Sequence, residues 1–394
     1  MWVQVPPAAP KFIELMLEKT LLSYIKRTYL PKGHANPKTA DQFTSYDIKF
    51  FARGVAEMSA YFTSERVHLP KNYLNKKELR AGYLLYFVIT NFLKVKFCLN
   101  EIKAAGRFKD NKIIKFLDLG SGPGTASFAA ADMWRDSPQT LEITAVDQNT
   151  NSLHDAKHIF AEYAGKNVSL KTIFANLHNK NISHVLKRER FDIAIASNFF
   201  NEIGDVQKQA FLAENVVLNH LTENGVLIII EPALRWTTRN LMKLRDQIIE
   251  DRPSSLTILA PCLHGYKCPM LRSNNRDWCH IYLEWHRPKI IEEIDKLIGN
   301  RKDYLKFSYL ILGPSNHPAI EPSRQIWRVV SAPMRSHGKI EILLCSSKGL
   351  VRATRLDKNA SPLNADFDRA KRGCLVSYEG AAFVDKTASF KVVS

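Results

Sequence analysis

The stretch that decides the fold is Phe116-Leu117-Asp118-Leu119-Gly120-Ser121-Gly122-Pro123-Gly124-Thr125. It ends an apolar run and leads into a helical pattern. Glycines at such a junction allow a tight turn and let the backbone approach a ligand closely. The spacing is Gly-x-Gly-x-Gly, whereas dinucleotide sites use Gly-x-Gly-x-x-Gly. We therefore predict a strand, a ligand-binding loop and a helix, in preference to an NAD site or a turn without a ligand.

Two acids extend this pattern. Asp118 precedes the first glycine by two positions, and it can meet the amino group of a bound methionine moiety. Asp147 ends the next predicted strand, where a carboxylate can accept hydrogen bonds from ribose hydroxyls. The combination resembles the class I S-adenosylmethionine-dependent methyltransferases. The predicted cofactor-binding residues are Asp118, Gly120, Ser121, Gly122, Gly124 and Asp147.

Apolar runs alternate with amphipathic stretches between residues 107 and 333, which predicts a doubly wound parallel α/β sheet of the Rossmann-like, class I methyltransferase type. We expect Phe307–Leu312 and Ile326–Ser331 to complete this sheet as an antiparallel pair. The expected parallel strands are Ile113–Leu119, Glu142–Val146, Ser169–Phe174, Phe191–Ala196 and Val226–Ile230.

Three further regions accompany this predicted domain. Residues 1–106 have mostly helical patterns, and residues 256–285 form a Cys-rich insertion that we expect to bind a cluster. Residues 334–394 are predicted to be a small β-rich unit, with a hairpin of Lys339–Cys345 and Leu350–Leu356.

The fourth predicted strand leads into candidates for the reaction centre. Ligands of open α/β sheets bind beyond the carboxyl ends of the strands, so Asn198, Asn201 and Glu202 are expected near the transferred methyl. Asn201 and Glu202 are equally suited to cap the next helix. The Asn-Pro-Pro-aromatic sequence of amino-group methylation is absent, and no general base stands out. Methyl transfer can depend on proximity and alignment, so the catalytic residues stay open.

A cysteine segment follows, with potential ligands at Cys262, His264, Cys268, Cys279 and His280. Its polar flanks suit buried structural cysteines poorly and indicate a metal or a cluster. Zinc sites usually have closer pairs of cysteines, and iron–sulfur sites have more varied spacings, so spacing alone leaves both open. Cys345, Cys374 and Cys98 are the possible fourth thiolates. We favour Cys345, at the end of a predicted strand, because Cys98 lies on an apolar helical stretch.

Across residues 55–360 the chain resembles the methyltransferase-like assembly factors of the small ribosomal subunit, known from mitochondria and with bacterial relatives. The segments that carry this resemblance are Ser64–Arg66, Asn72–Leu74, Leu79–Phe87, Asp118–Gly124, Asn201–Ile203, Glu231-Pro232, Pro261–Pro269, Trp278–His280 and Leu344-Cys345. The resemblance implies an S-adenosylmethionine pocket and binding to small-subunit ribosomal RNA during assembly. It also implies a four-iron, four-sulfur cluster on Cys262, Cys268, Cys279 and Cys345. Both an RNA methyltransferase and a non-catalytic assembly factor fit it.

The charge distribution indicates a polyanionic partner. The 394 residues carry a net charge of +17, divided into +9 for residues 1–110, −1 for residues 111–250 and +9 for residues 251–394. A neutral centre between two basic regions suits RNA binding on either side of the sheet. Candidate phosphate contacts are Arg66, Lys71, Lys76, Lys77, Arg80, Arg324, Arg328, Arg335, Lys339, Arg352, Arg355, Arg369, Lys371 and Arg372.

No uncharged apolar run approaches the roughly 18 residues of a membrane-spanning helix. The first residues resemble neither a secretory signal nor an Arg-rich mitochondrial presequence. We expect no membrane partner, and a protein of the cytoplasm, or of the mitochondrial matrix if the source is eukaryotic. The sequence does not indicate an oligomeric state.

Overall fold

The structure is a computed structural model. It describes residues 2–4, 11–31, 43–63, 70, 73–177, 182–251, 255–315, 326–347, 349–377 and 389–391. The sequence motifs at 64–66 and Asn72, and the candidate RNA contacts Arg66, Lys71 and Arg324, lie outside these residues.

The N-terminal region is mostly helical, as predicted, after a short strand, β1 (Trp2–Gln4). Its helices are α1 (Lys11–Tyr29), α2 (Ser45–Thr63), α3 (Lys77–Gly82) and α4 (Ile89–Ala104). A π-helical turn, Tyr83–Val88, joins α3 to α4 in one continuous helix. By length and composition Lys77–Ala104 could cross a membrane, but 89% of its apolar 18-residue window is buried inside the protein. Such burial is typical of a core helix.

The central sheet begins with five parallel strands: β2 (Ile113–Leu119), β3 (Thr140–Asp147), β4 (Val168–Phe174), β5 (Phe191–Ser197) and β6 (Leu221–Pro232). Their order is β4-β3-β2-β5-β6. The chain therefore reverses its direction of progress at β2, and the topological switch point lies between β2 and β5. The predicted doubly wound sheet is confirmed, with strand bounds close to those expected.

The antiparallel part of this sheet differs from the prediction. Its strands are β7 (Leu256–Ala260), β8 (Ile281–Glu284) and β9 (Tyr304–Pro314), and β9 pairs with β6, β7 and β8. The expected pairing of residues 307–312 with 326–331 is wrong, because β10 (Ile326–Val329) belongs to a second sheet. Trp327 and Val329 are buried there in a separate apolar core.

Helices cover both faces of the central sheet. On one face α5 (Thr125–Trp134), α6 (Thr150–Tyr163) and α11 (Lys289–Ile298) share an apolar core with the N-terminal helices. On the other lie α7 (Ile182–Leu186), α8 (Val206–His220) and α9 (Arg235–Asp251). Side chains alternate between the two faces along a strand. In β2, Phe116 is accordingly buried in the first core and its neighbour Leu117 in the second.

The second sheet includes β11 (Met334–Ser336), β12 (Lys339–Ser346), β13 (Gly349–Leu356), β14 (Leu375–Ser377) and β15 (Ser389–Lys391). Its order is β1-β14-β10-β12-β13-β15, with β11 on β12. The predicted hairpin is present as β12 and β13. The unit also takes strands from outside residues 334–394, since β1 pairs with β14 and β10 pairs with β12.

The cysteine segment lies between the two sheets. It contains one short helix, α10 (Pro269–Ser273). Because β7 and β8 are strands of the central sheet, residues 261–280 alone project from it, which is a shorter excursion than the expected insertion over 256–285.

Candidate functional site

A cavity of about 880 Å³ opens at the carboxyl ends of the parallel strands. It includes the switch point, where open α/β sheets bind their ligands. Of the residues predicted from the sequence, Gly120, Gly122 and Asp147 line it, as do the reaction-centre candidates Asn198, Asn201 and Glu202. The structure thus brings the first two glycines of the loop, the second acid and the fourth-strand loop to one cavity.

The glycine loop has a backbone that other residues would strain. Gly122 has φ of +51°, and a Cβ placed on it would meet nothing within 4 Å. This face of the loop is therefore open to a ligand. Gly120 has φ of +63°, and a Cβ there would lie 2.4 Å from the Phe199 ring. The loop needs glycine at both positions, for an open cradle at Gly122 and for close packing at Gly120.

Asp147 holds this loop in place. Its Oδ2 accepts a hydrogen bond from the Gly122 amide at 2.8 Å, and its Oδ1 accepts one from the Asn149 amide at 2.7 Å. Burial raises the pKa of the carboxyl group, and the backbone amides oppose that shift. A carboxylate has about four acceptor positions, and the Gln148 amide also donates to this one, so acceptor capacity remains for a hydroxyl of a ligand. The Asp147 carboxylate could therefore accept hydrogen bonds from the ribose hydroxyls of S-adenosylmethionine.

The other predicted cofactor residues, Asp118, Ser121 and Gly124, make hydrogen bonds within the fold. Asp118 is buried, and its Oδ2 accepts hydrogen bonds from the amide and the hydroxyl of Ser127, at 3.0 and 2.7 Å. Burial raises the pKa of Asp118 to about 7, although both Ser127 hydrogen bonds lower it. Ser121 accepts the Gly124 amide at 2.9 Å, and Gly124 then begins α5. Within the described structure, none of Asp118, Ser121 and Gly124 is part of the cavity lining.

The loop after β5 is strained and anchored. Asn198 has φ of +60°, an uncommon conformation for a residue other than glycine, and its amide donates to Ile230 O at 2.8 Å. The Asn201 side-chain amide donates to the buried carboxylate of Glu231, which also accepts the Asn201 backbone amide at 3.2 Å. Sequence reasoning did not assign Glu231 to the site. The sequence did contain a signal for Glu231, because it is an acidic residue at the carboxyl end of β6, the strand that pairs with β5.

The N-terminal helices supply cavity residues that sequence patterns did not indicate. Phe62, Tyr83, Phe87 and Lys94 line the cavity beside the loop after α11. Burial is the main cause that raises the pKa of Tyr83 to about 12, and the Glu202 and Asp147 carboxylates raise it further. The Tyr83 phenol is therefore neutral near the predicted reaction centre. These residues come from α2 and from the α3–α4 helix, far from the glycine loop in sequence.

The four predicted cysteine ligands meet at a second cavity, of about 50 Å³. Cys262 follows β7, Cys268 precedes α10, Cys279 precedes β8, and Cys345 lies on β12. Along β12 the residues Ile340, Ile342 and Leu344 enter the core of the second sheet, so Cys345 points the opposite way, towards the cysteine segment. Cys98 and Cys374 are buried elsewhere and do not line this cavity.

Basic groups stand beside these thiols. Arg245 Nε donates to Cys262 Sγ at 3.2 Å, and Arg328 lines the same cavity. The Tyr266 amide donates to His264 Nδ1 at 3.2 Å, which assigns the ring proton to Nε2, 3.7 Å from Cys345 Sγ. Among the described residues, no three His, Cys, Asp or Glu side chains are placed to hold a single metal ion.

Several candidate RNA contacts have structural partners instead. Arg80 is buried and pairs with Asp155 at 2.8 Å, and Arg355 is buried and bonds to both oxygens of Asp368. Arg328 is also buried. The expectation that these three arginines contact RNA is therefore wrong, since no phosphate can reach a guanidinium that the fold encloses. Lys77 and Arg335 remain exposed.

A sequence profile of the family described as mitochondrial small ribosomal subunit Rsm22 matches residues 77–374. Curated protein sequences gave no match. Among solved structures, a candidate class I S-adenosylmethionine-dependent methyltransferase from Listeria monocytogenes is 10% identical, and the alignment covers 80% of this chain and 92% of that one, with a TM-score of 0.40. The ribosomal protein L11 methylase from Lactobacillus delbrueckii subsp. bulgaricus is 14% identical over 57% of this chain and 79% of its own, with a TM-score of 0.31. TrmN from Thermus thermophilus is 12% identical over 55% and 48%, with a TM-score of 0.30.

Proposed function

This chain belongs to the mitochondrial small ribosomal subunit Rsm22 family, and we propose that it binds S-adenosylmethionine and acts on small-subunit ribosomal RNA during ribosome assembly. The observation that carries this proposal is the pairing of the open Gly122 backbone with the Asp147 carboxylate at the switch point. Asp147 would hold the ribose, and the loop would lie against the methionine portion. When bound, the cofactor supplies an electrophilic methyl group. The protein would carry out this function in the mitochondrial matrix or the cytoplasm, where small ribosomal subunits are assembled.

A transfer experiment tests catalysis. Protein with a full complement of its cofactors is incubated with methyl-labelled S-adenosylmethionine and immature small subunits. We expect label in the RNA, and loss of that label with Gly122→Val. Label that appears equally with Gly122→Val, or no label from protein that binds the cofactor normally, would contradict an RNA methyltransferase.

A non-catalytic assembly factor is the second candidate, and one observation favours it. The Tyr83 phenol lines the cavity and is neutral, and burial raises its pKa to about 12, so it is not poised as a general base. In that case cells that carry Asp118→Asn with Gly122→Val should assemble small subunits nearly normally. A complete assembly defect with a folded variant would instead favour catalysis.

We also propose that Cys262, Cys268, Cys279 and Cys345 hold a four-iron, four-sulfur cluster. The support is the convergence of four thiols from separate elements around one cavity, with Arg245 and Arg328 available to balance the charge of the thiolates. A tetrahedral zinc ion, with Zn–S bonds of about 2.3 Å, would draw the sulfurs to about 3.8 Å from one another. Among the described residues no three ligands are placed for a single metal ion, which favours a larger inorganic core held by the thiolates.

Anaerobic purification tests the cluster. We expect brown protein with about four iron and four sulfide per chain. Cys262→Ser should lose the colour and the iron, whereas Cys98→Ala, which removes a buried thiol outside the cavity, should keep both. Colourless protein with one zinc per chain would contradict the cluster.

A further inference from the structure

The large cavity has a second wall, distinct from the glycine loop. It comes from α2, from the π-helical turn and α4, and from the loop after α11. The whole cavity, at about 880 Å³, lies towards the upper end of the roughly 300–1,000 Å³ of small-molecule sites. A cofactor bound at Gly122 and Asp147 would leave this second wall exposed to another ligand.

Aromatic rings form one part of the second wall. The Phe62 ring lies edge-on to the rings of Phe87, Tyr73 and Tyr83, at centroid distances of 5.0, 6.0 and 6.5 Å. All four rings line the cavity. Tyr83 and Phe87 are four residues apart and so share one face of the helix, on the π-helical turn, a feature that often marks functional sites. Clustered rings of this kind stack unpaired bases of RNA.

Two lysines, Lys94 and Lys302, form the part of the second wall next to the aromatic rings. Lys94 Nζ donates to Asn91 Oδ1 at 2.8 Å, and Lys302 Nζ lies 5.2 Å from the Tyr86 ring centroid and 5.8 Å from that of Phe87. Burial lowers the pKa of Lys94 to about 7, and the charge of Lys302 lowers it further. In the part of the chain that the structure describes, Lys94 forms no ion pair with a carboxylate. Burial also lowers the pKa of Lys302, and the nearby Asp295 carboxylate only opposes that shift. An anion between them would relieve their repulsion and restore their charge.

We propose that this wall binds one nucleotide of the RNA, with its base against Phe62, a partly exposed ring of the cluster, and its phosphate between Lys94 and Lys302. The inference rests on the RNA-directed function proposed above. The carboxylate of the cofactor's methionine offers lysines the same chemistry as a phosphate. We favour the phosphate because Phe87 adjoins both Phe62 and Lys302, so that an aromatic surface and a cation lie side by side, as base and phosphate do in a nucleotide.

Binding of mononucleotides tests the site. Each of the four 5′-monophosphates and the matching nucleosides is titrated into the full chain, with and without saturating S-adenosylhomocysteine, and followed by saturation-transfer NMR. We expect at least one monophosphate to bind about tenfold more tightly than its nucleoside, since a charge-assisted hydrogen bond contributes roughly 1.5–3 kcal/mol. Lys94→Met and Lys302→Met should each remove that difference, and Phe62→Leu should weaken nucleotide and nucleoside alike.

Lys103→Met, an exposed position on α4, is the matched control and should change nothing. The inference is overturned if no monophosphate binds while S-adenosylhomocysteine binds normally. It is also overturned if the lysine variants weaken S-adenosylhomocysteine and leave nucleotides unaffected, because the anion is then the cofactor's carboxylate. Nucleotide binding without any cofactor binding would instead defeat the cofactor part of the proposed function and leave this inference standing.

Discussion

At the residue scale, Asp147 connects the glycine loop to the start of α6, because its two oxygens accept the amides of Gly122 and Asn149. Asp147→Asn keeps the size of the side chain but removes the charge and one acceptor. We expect it to weaken S-adenosylmethionine binding by about 10- to 100-fold, the range that follows from roughly 1.5–3 kcal/mol per hydrogen bond to a charged group. Calorimetric titration measures this, with the exposed Asp136→Asn as the unaffected control. Equal affinities would show that Asp147 does not contact the cofactor.

Asp118 should give stability a distinctive pH dependence. Its folded pKa is raised to about 7 from the ordinary 3.8, so the folded state holds this proton more tightly than the unfolded chain does. The contribution of Asp118 to the free energy of unfolding therefore decreases as the pH rises from about 4 to about 7. In urea unfolding, the stability of Asp118→Asn relative to the wild type should increase by on the order of 3 kcal/mol across that range. A constant difference at all pH values would contradict the buried, protonated carboxyl.

Residues of the site were predictable where the signal is local. Gly120, Gly122 and Asp147 stand out because a tight turn beside a strand restricts which residues can occupy it. Lys94 and Lys302 carried no such signal, since an isolated lysine in a helix or a loop usually faces solvent. Folding brings these two together over more than two hundred residues of chain.

At the element scale, five parallel strands were predictable because each is an apolar run between a helix and a turn. The sheet to which β10 belongs could not be predicted. This strand has only four residues, and its pairing depends on the apolar core in which Trp327 and Val329 are buried. The role of the N-terminal helices as a cavity wall was also missed. Helical periodicity shows which face of a helix is apolar and does not show what that face contacts.

The cysteine cavity ties β12 of the second sheet to residues that flank β7 and β8. Metal binding at such a junction contributes to the folding of both parts. For the proposed iron–sulfur cluster, we expect anaerobic chelation of iron to increase hydrogen exchange in Lys339–Leu356, with little change in α5, which does not line the cavity. Mass spectrometry of exchanged peptides measures both segments at once. Unchanged protection of β12 and β13 would mean that the cluster does not hold the second sheet in place.

At the scale of the whole molecule, the chain has a net charge of +17, and several of its basic side chains form ion pairs with carboxylates of the fold. Lys76 pairs with Glu57, Arg335 with Asp368, and Lys371 with Glu284. Exposed pairs of this kind contribute little to stability, so a phosphate can displace the carboxylate. The paired cations of the two basic regions therefore remain candidates for the RNA contacts proposed above.

RNA binding should consequently depend strongly on salt. We expect the affinity for a small-subunit RNA fragment to decrease at least tenfold between about 50 and 200 mM salt, because bound phosphates release counterions. Fluorescence anisotropy with labelled RNA measures this, and Lys77→Ala should reduce the slope. An affinity that is constant over this range would contradict a polyanion partner for the basic regions.

The proposed site of S-adenosylmethionine is the open face of the glycine loop at Gly122. Equilibrium dialysis with labelled cofactor compares the wild type, Gly122→Val and Gly338→Val. The two variants impose the same kind of strain, since Gly338 has φ of +75° and open space around it in the β11–β12 turn, away from the cavity. We predict one cofactor per chain for the wild type and for Gly338→Val, and binding weakened at least about a hundredfold for Gly122→Val. Binding by Gly122→Val with wild-type affinity would contradict the account.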